Sequence, residues 1–538
     1  MSFEADYIVV GAGSAGCVVA ARLSEDGSRV LLLEAGGRDV HPFIHIPAGV
    51  GNLVYHKTLN YNYYSEPEPF AGDRRLHCPR GKVVGGSSSI NGMLYVRGNP
   101  ADYDGWAQTG CRGWSYSDVL PLFMRSENYA GGDASFRGRQ GVLKVEDYRT
   151  ILPLTHLFVQ AAQQAGFPYT PDLNGATQEG VGYSQMTRNG RFRASTAQTF
   201  LKAAKSRTNL KVETGAVASR LMFDGARCIG VEYLQGGETR VARAKREVIL
   251  SGGAINSPHL LQISGVGPAD HLRSIGVEVR HDLPGVGRNL SDHYAVRVVH
   301  RLKKLISINE LARGARLIRE IARYALTGRG ALTFGVTSAM VFCRSREGLA
   351  SPDLQLLFTP ASYIFGKALI LENQPGMTVA VCATRPDSRG EVMATTAEPR
   401  ERPAIRFNYL AQTSDLDVLR AGVEITRRIL ASPAFTPFDA GETRPGAQTV
   451  TDADIDAFAQ REGSSLYHPV GTCKMGVDDR AVVDPRLKVR GIAGLRVVDA
   501  SIMPFLTTGN TNAPTIMIAE RAADLIRTGR PAAAVAAA

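Results

Sequence analysis

The segment Tyr467-His468-Pro469-Val470-Gly471-Thr472-Cys473 holds a histidine among small and polar residues, and Gly509-Asn510-Thr511-Asn512-Ala513-Pro514 follows near the C-terminus. A neutral imidazole, with an ordinary pKa of about 6.5, can take a proton from a hydroxyl near neutral pH. An asparagine amide can donate a hydrogen bond to the same oxygen and stabilise the charge that grows there. Each residue also has a plain structural reading. His468 could be a packed neutral histidine, and Asn512 the cap of an apolar helix with Pro514 in its first turn. Zinc is a weak third reading, because His468 and Cys473 have no partner ligands at useful spacing.

Such groups need a rigid frame, and the N-terminus reads as one. Residues 6–10 form a β-branched run leading into Gly11-Ala12-Gly13-Ser14-Ala15-Gly16; an apolar helix follows and ends near Asp26-Gly27, and a second strand over 29–33 ends in Glu34. Strand, G-x-G-x-x-G, helix, strand and acid in this order predict a dinucleotide-binding unit. Gly11 allows the tight turn, Gly13 lets the backbone approach a pyrophosphate, and Gly16 lets helix and strand pack. The helix N-terminus offers free N–H groups to the phosphates, and Glu34 should accept hydrogen bonds from an adenosine ribose. The fingerprint alone does not separate FAD from NAD.

Gly81-Lys82-Val83-Val84-Gly85-Gly86-Ser87-Ser88-Ser89-Ile90-Asn91-Gly92 is a second backbone-rich loop. It lacks the P-loop order, and its flanking hydrophobics argue for a fixed loop that can bring many N–H donors to one ligand. From Asn209 the pattern predicts a β-meander, with strands over 211–214, 217–223, 228–234 and 239–244 and a turn at Asp224-Gly225. A buried strand over 247–250 then runs into Ser251-Gly252-Gly253-Ala254. A helix is expected to open at Ser257-Pro258, and Gly285-Val286-Gly287-Arg288-Asn289-Leu290 follows.

The chain has 538 residues, 44% apolar and 21% charged, with 56 glycines, seven cysteines and a formal charge of +11. That length predicts two or more domains, and the composition excludes collagen-like, coiled-coil and largely disordered chains. Seven cysteines without CxxC pairs give no disulfide framework. The basic residues are scattered, so a nucleic-acid partner is not expected. No apolar run approaches the length of a membrane-spanning helix. Glu4 and Asp6 precede the first apolar run, which argues against a signal peptide and for a cytoplasmic location. The alanine-rich tail after Pro531 is expected to fray.

Two long patterns carry a resemblance to the glucose-methanol-choline (GMC) oxidoreductases over essentially the whole chain. Residues 81–95 resemble that family's first signature, and Gly253-Ala254-Ile255-Asn256-Ser257-Pro258 through Gly267 its second. The resemblance implies an α/β chain, α+β overall, with a Rossmann-like FAD-binding domain assembled from several segments and a substrate domain built on an antiparallel sheet flanked by helices. It implies FAD rather than NAD. Expected FAD contacts are Gly11, Gly13, Ser14, Gly16, Glu34 and Ala35; Gly81, Val84, Gly86, Ser87, Asn91, Gly92 and Met93; Val217; and Tyr467, Asp499, Ala500 and Asn510. Some members bond FAD through a histidine just before the loop asparagine. Ile90 stands there, so the FAD is expected to be non-covalent. In the family a histidine and an asparagine or histidine from the two C-terminal motifs face the flavin together, which assigns His468 as base and Asn512 as the group orienting the alcohol oxygen for hydride transfer to flavin N5.

The implied activity is oxidation of a primary alcohol, an uncharged one, to the aldehyde, with reoxidation by a quinone or dye-like acceptor, or by oxygen. Sugar, polyol and choline dehydrogenases resemble the chain too, although no acidic or aromatic cage for choline is located in the sequence. A non-catalytic FAD-binding protein is the alternative of another class. A serine hydrolase is unsupported, because no G-x-S-x-G elbow occurs. The expected division is 1–155 (with a lid over 38–80), 206–300 and 461–538 for the FAD domain, and 156–205 and 301–460 for the substrate domain. The motif Asp172-Leu173-Asn174-Gly175 is expected to add a loop to the cavity. Over 311–326, Arg313, Arg316, Arg319 and Arg323 share one helical face and Leu317, Ile318, Ile321 and Ala325 the other. The plain expectation is a helix packed on a core; the sharper one is peripheral contact with anionic lipid, at the inner face of the membrane.

Overall fold

The computed structural model describes residues 2–364 and 369–528; the alanine-rich tail lies outside them. The chain is a mixed α/β protein built on two seven-stranded sheets. The first grows from the N-terminal run. Ser2–Val10 pairs in parallel with Val30–Glu34 on one side and Glu238–Leu250 on the other, so that Val10 stands beside both Leu33 and Leu250. Ile8, Val9, Leu31 and Leu32 are fully buried, as a parallel sheet covered on both faces requires. Leu210–Thr214 extends the parallel edge beside Val30–Glu34, and Leu495–Val497 joins the last residues of Glu238–Leu250. Val217–Asp224 and Arg227–Gln235 add the antiparallel part.

Two expectations change here. Residues 211–214 leave the meander for the opposite edge, where they pair with Val30–Glu34. The strands expected over 239–244 and 247–250 are one strand, because Ser2–Val10 runs beside both halves. The consequence is a shared edge: Val10, Glu34, Leu250 and Val497 all end there, where open parallel sheets bind ligands.

The glycine turn closes that edge. A Cβ on Gly16 would lie 1.8 Å from the Gly11 oxygen, and one on Gly11 2.5 Å from the Ser251 oxygen. These two glycines let helix Ser14–Leu23 sit against the sheet. Helix Gly253–Ile263 opens before its expected start at Ser257 and carries Pro258 inside. Proline has no N–H to give the Ala254 carbonyl; the Thr472 hydroxyl donates to that oxygen instead, at 2.6 Å.

The second sheet is antiparallel and runs Asp439–Arg444, Tyr294–Leu302, Gly376–Ala383, Leu354–Thr359, Ala339–Cys343, Gly180–Tyr183, with Ser464–Ser465 added beside Tyr294–Leu302. Leu354–Thr359 and Gly376–Ala383 are buried along their whole length. The expected divisions at 155 and 300 each fall inside an element. Helix Pro153–Gln164 and strand Tyr294–Leu302 both side with the second sheet, because Leu154, Phe158, Val296 and Val298 share one core with Val341 and Val379. Helix Thr413–Leu430 covers one face of this sheet. Alternate residues on the other face, among them Leu357, Thr359, Thr378 and Ala380, line a cavity.

Helix Gly314–Thr327 does not pack through its apolar stripe. It is anchored by buried Glu320, which accepts from the Ala331 amide at 2.7 Å, and by Tyr324, whose hydroxyl donates to the Arg191 carbonyl at 2.7 Å. Ile318, Ile321 and Leu326 are left 71%, 48% and 81% exposed. Among the described residues no helix is long and apolar enough to cross a membrane.

Replacing Thr472 by valine leaves the Ala254 carbonyl buried without a donor. We expect the substitution to lower unfolding free energy by about 1–3 kcal/mol in urea titrations. An unchanged midpoint would show that the hydroxyl does not support the helix.

Candidate active site

A cavity of about 1630 Å³ runs from the glycine turn to the inner face of the second sheet. Gly11, Gly13, Ser14, Glu34, Ala35, Gly81, Gly86, Ser87, Asn91, Gly92, Met93, Val217, Tyr467, His468, Asp499, Ala500, Asn510 and Asn512 all line it. Gly16 and Val84 do not. Gly16 spends its lack of a side chain on the turn beneath it, and Val84 is buried under the second glycine loop, where its carbonyl accepts from Ser89 Oγ at 2.8 Å. Tyr55, Tyr61, Tyr63 and Tyr64 from the 38–80 stretch also line the cavity.

The end under the first sheet suits a dinucleotide. A Cβ on Gly13 would meet only the Ser251 oxygen, at 3.9 Å, so space opens where helix Ser14–Leu23 presents its free amides. Glu34 accepts from the Ala12 and Gly36 amides at 2.9 and 2.8 Å, and burial pushes its carboxyl up to about 7. Hydroxyl donors from a ribose would favour its ionised form. Gly86 packs on Gly13, since a Cβ there would lie 2.6 Å from the Gly13 Cα. The glycine loop is held from below by Arg193, which is fully enclosed and, among the described residues, has no acidic partner; it donates to the Asn91 carbonyl and side chain at 2.6 and 2.7 Å, and burial lowers it to about 9. Asp499 holds the second glycine turn, accepting from the Gly253 amide at 2.8 Å and the Ser257 hydroxyl at 2.6 Å.

The other end is organised by one carboxylate. Asp292, 3% exposed, accepts from the amides of His468 (2.6 Å) and His293 (2.9 Å) through one oxygen, and from the hydroxyls of Ser465 (2.5 Å) and Tyr409 (2.5 Å) through the other. Burial pushes its pKa up, while those hydroxyls and the Arg80 charge pull it down. His293 Nδ1 then lies 2.9 Å from His468 Nδ1, and His293 Nε2 lies 3.0 Å from the Thr384 carbonyl. His468 Nε2 lies 3.1 Å from the Asn510 amide nitrogen. Burial lowers both histidines, His293 to about 4 and His468 well below its usual value, the latter aided by the neighbouring His293 and Arg80.

The structure therefore sets Asn510, not Asn512, beside His468. The Asn512 side-chain oxygen Oδ1 accepts from Ser14 Oγ at 2.8 Å, on the glycine-turn side of the cavity. Asn512 is the first residue of helix Asn512–Thr528, and Asn510 lies in the loop before it. The Asn510 side-chain oxygen is buried without a hydrogen-bond partner.

Asp292, His293, Arg193, Ser465 and Tyr409 do not stand out in the sequence. The one local signal is Asp292-His293 following Gly285-Val286-Gly287-Arg288-Asn289-Leu290, since buried acid and imidazole side by side call for partners. The Asp172-Leu173-Asn174-Gly175 motif stays outside the cavity. Asp172 pairs with Arg137 at 2.6 Å, and Asn174 accepts from the Arg97 amide at 2.8 Å, so its polar groups are spent on an internal ion network.

Two stretches of the chain, residues 5–295 and 386–519, match the GMC oxidoreductase family. A curated relative, the oxygen-dependent choline dehydrogenase of Vibrio vulnificus (strain YJ016), is 44% identical over 531 residues, covering 98% of this chain and 95% of its own. Pyridoxine 4-oxidase from Mesorbium loti superposes with a TM-score of 0.89 at 30% identity, over 97% of this chain and 99% of that one. An FAD-dependent oxidoreductase from Chaetomium thermophilum superposes with a TM-score of 0.90 at 25% identity, over 98% and 99%.

Replacing Asp292 by asparagine keeps the shape but offers an N–H where four donors converge. Unfolding free energy should fall by roughly 2–4 kcal/mol in chemical denaturation. Stability equal to the parent protein would remove Asp292 from its organising role.

Proposed function

The chain belongs to the GMC oxidoreductase family, and we propose that His468 is the base and Asn510 the orienting amide in its FAD-dependent oxidation of a primary alcohol to the aldehyde. FAD, when bound, supplies the hydride acceptor. Ile90 offers no nucleophile to it, and we assign its binding as non-covalent.

The observation that carries the assignment is the chain of contacts through the two histidines. A carbonyl only accepts, so Thr384 requires the proton of His293 on Nε2 and leaves its Nδ1 as an acceptor. His468 must then donate from Nδ1, and its Nε2 is left as the acceptor, held by the Asn510 amide until a hydroxyl takes that place. That nitrogen can take the hydroxyl proton, and the charge it gains is held through Nδ1–H against His293. The Asn510 amide points to the same spot and can donate to the oxygen as it loses its proton. Because His468 is held below its ordinary pKa, it is neutral, hence basic, across neutral pH.

The choline dehydrogenase at 44% identity makes choline a second reading for the substrate. For the acceptor we favour a quinone at an anionic lipid surface on the cytoplasmic side. The support is helix Gly314–Thr327, whose exposed Ile318, Ile321 and Leu326 stand beside Arg316, Arg319 and Arg323.

His468→Ala should cut kcat by ~10²–10⁴-fold while the yellow cofactor stays bound. Asn510→Ala should cost about 10–10³-fold, more than Asn512→Ala; the reverse order would return the role to Asn512. As pH falls, His468 charges and activity is lost, with the midpoint of the acid limb below about 6.5. In flotation assays the protein should travel with phosphatidylglycerol vesicles and be released by salt, whereas Ile318→Asp/Leu326→Asp should stay behind. Equal binding to neutral vesicles would count against the lipid contact.

A further inference from the structure

The cavity carries more positive charge than a dinucleotide accounts for. Nine lysine and arginine side chains line the cavity against four acidic ones, and a pyrophosphate offsets only part of that surplus. Three of the acids are committed. Glu34 and Asp499 accept backbone amides at the nucleotide end, and Glu462 pairs with Arg461 at 3.2 Å.

Arg297 is the cation on the inner face of the second sheet that has nothing to balance it. It projects from strand Tyr294–Leu302 opposite Ala380, lines the cavity, and is half-buried. Among the described residues it forms no ion pair; one guanidinium nitrogen donates to Ser464 Oγ at 2.5 Å. Arg444, on the same wall, differs in being paired with Glu372 at 3.3 Å. Arg297 is also near the base. Ser464 adjoins Ser465, which shares Asp292 with His468, and the Arg297 charge opposes the burial that raises the Tyr467 phenol to about 12. Tyr363, whose phenol feels the same charge, lines this end too. Five N–H donors in a fixed fork, one of them used, beside two phenols make a receptor for a planar oxyanion, and the same charge repels a quaternary ammonium.

We propose that Arg297 is a specificity residue, and that the substrate is a primary alcohol bearing a carboxylate, whose anion pairs with Arg297 while its hydroxyl lies at His468 and Asn510. This rests on the alcohol-oxidising reading of the same cavity. It also sets the chain apart from a choline enzyme, because the group that recognises the far end of the substrate is cationic.

The test uses the FAD-loaded enzyme, a dye acceptor and three alcohols: 4-hydroxybutyrate, 1-butanol and choline. In the parent protein kcat/KM should be at least about tenfold higher for 4-hydroxybutyrate than for 1-butanol, mostly through KM, and lowest for choline. Arg297→Gln should collapse that ratio toward one, and Arg297→Lys should restore part of it. Independently of turnover, butyrate but not butyramide should perturb the flavin absorbance of the parent protein, and the response should weaken in Arg297→Gln. The proposal falls if 1-butanol or choline is preferred, if the ratio survives in Arg297→Gln, or if butyrate leaves the flavin spectrum unchanged. Failure of every alcohol to reduce the flavin, with the butyrate response intact, would instead sink the alcohol-oxidising reading and leave the anion site standing.

Discussion

The buried carboxylate of Asp292 joins the two halves of the protein at the point where chemistry is possible. It lies just before strand Tyr294–Leu302 of the second sheet, and it holds the amide of His468 on a loop between the last strand pairings of the two sheets. A buried charge is tolerated only when donors surround it, and here two amides and two hydroxyls do so. The requirement works in both directions. The donors oppose the burial that raises the Asp292 pKa, and Asp292 keeps the donors where they are. The facing of His293 and His468 follows, because both backbones are bound to one oxygen of the same carboxylate.

The division of labour between the sheets follows from their types. The parallel sheet ends its strands on one edge and so can collect Gly11, Glu34, Ser251 and Asp499 from distant stretches of chain. The antiparallel sheet has one face packed under helices and alternates its side chains, which leaves the other face free to line a cavity with residues that include Thr359, Thr378, Arg297 and Arg444. A nucleotide-sized space at one end and a polar wall at the other are thus consequences of strand direction as much as of particular residues.

Much of this was legible in the residues. The fingerprint from Gly11 to Gly16 and the acid at Glu34 depend on contacts made within a short stretch, where spacing and conformation are tightly linked, and the structure keeps all of them in one place. The apolar runs that became strands were legible for the same reason. The failures share the opposite cause. Residues 211–214 look like the start of a meander, yet their partner lies far back in the chain at Val30–Glu34. Helix Gly314–Thr327 has a clear stripe, yet Glu320 and Tyr324 found partners outside the helix and turned the stripe outward.

The sequence by itself determined the nucleotide-binding architecture and the presence of a candidate base, His468, because local spacing specifies turns, caps and buried strands. Only the tertiary structure decided which asparagine meets that base and which nitrogen of it accepts. Asn510 and Asn512 are of one residue type and two positions apart, yet the fold brings one side chain to His468 and the other to Ser14. The accepting nitrogen of His468 is set by His293, and that of His293 by the Thr384 carbonyl. Contacts between residues so far apart in the chain leave no periodicity behind, so only the folded geometry reveals them.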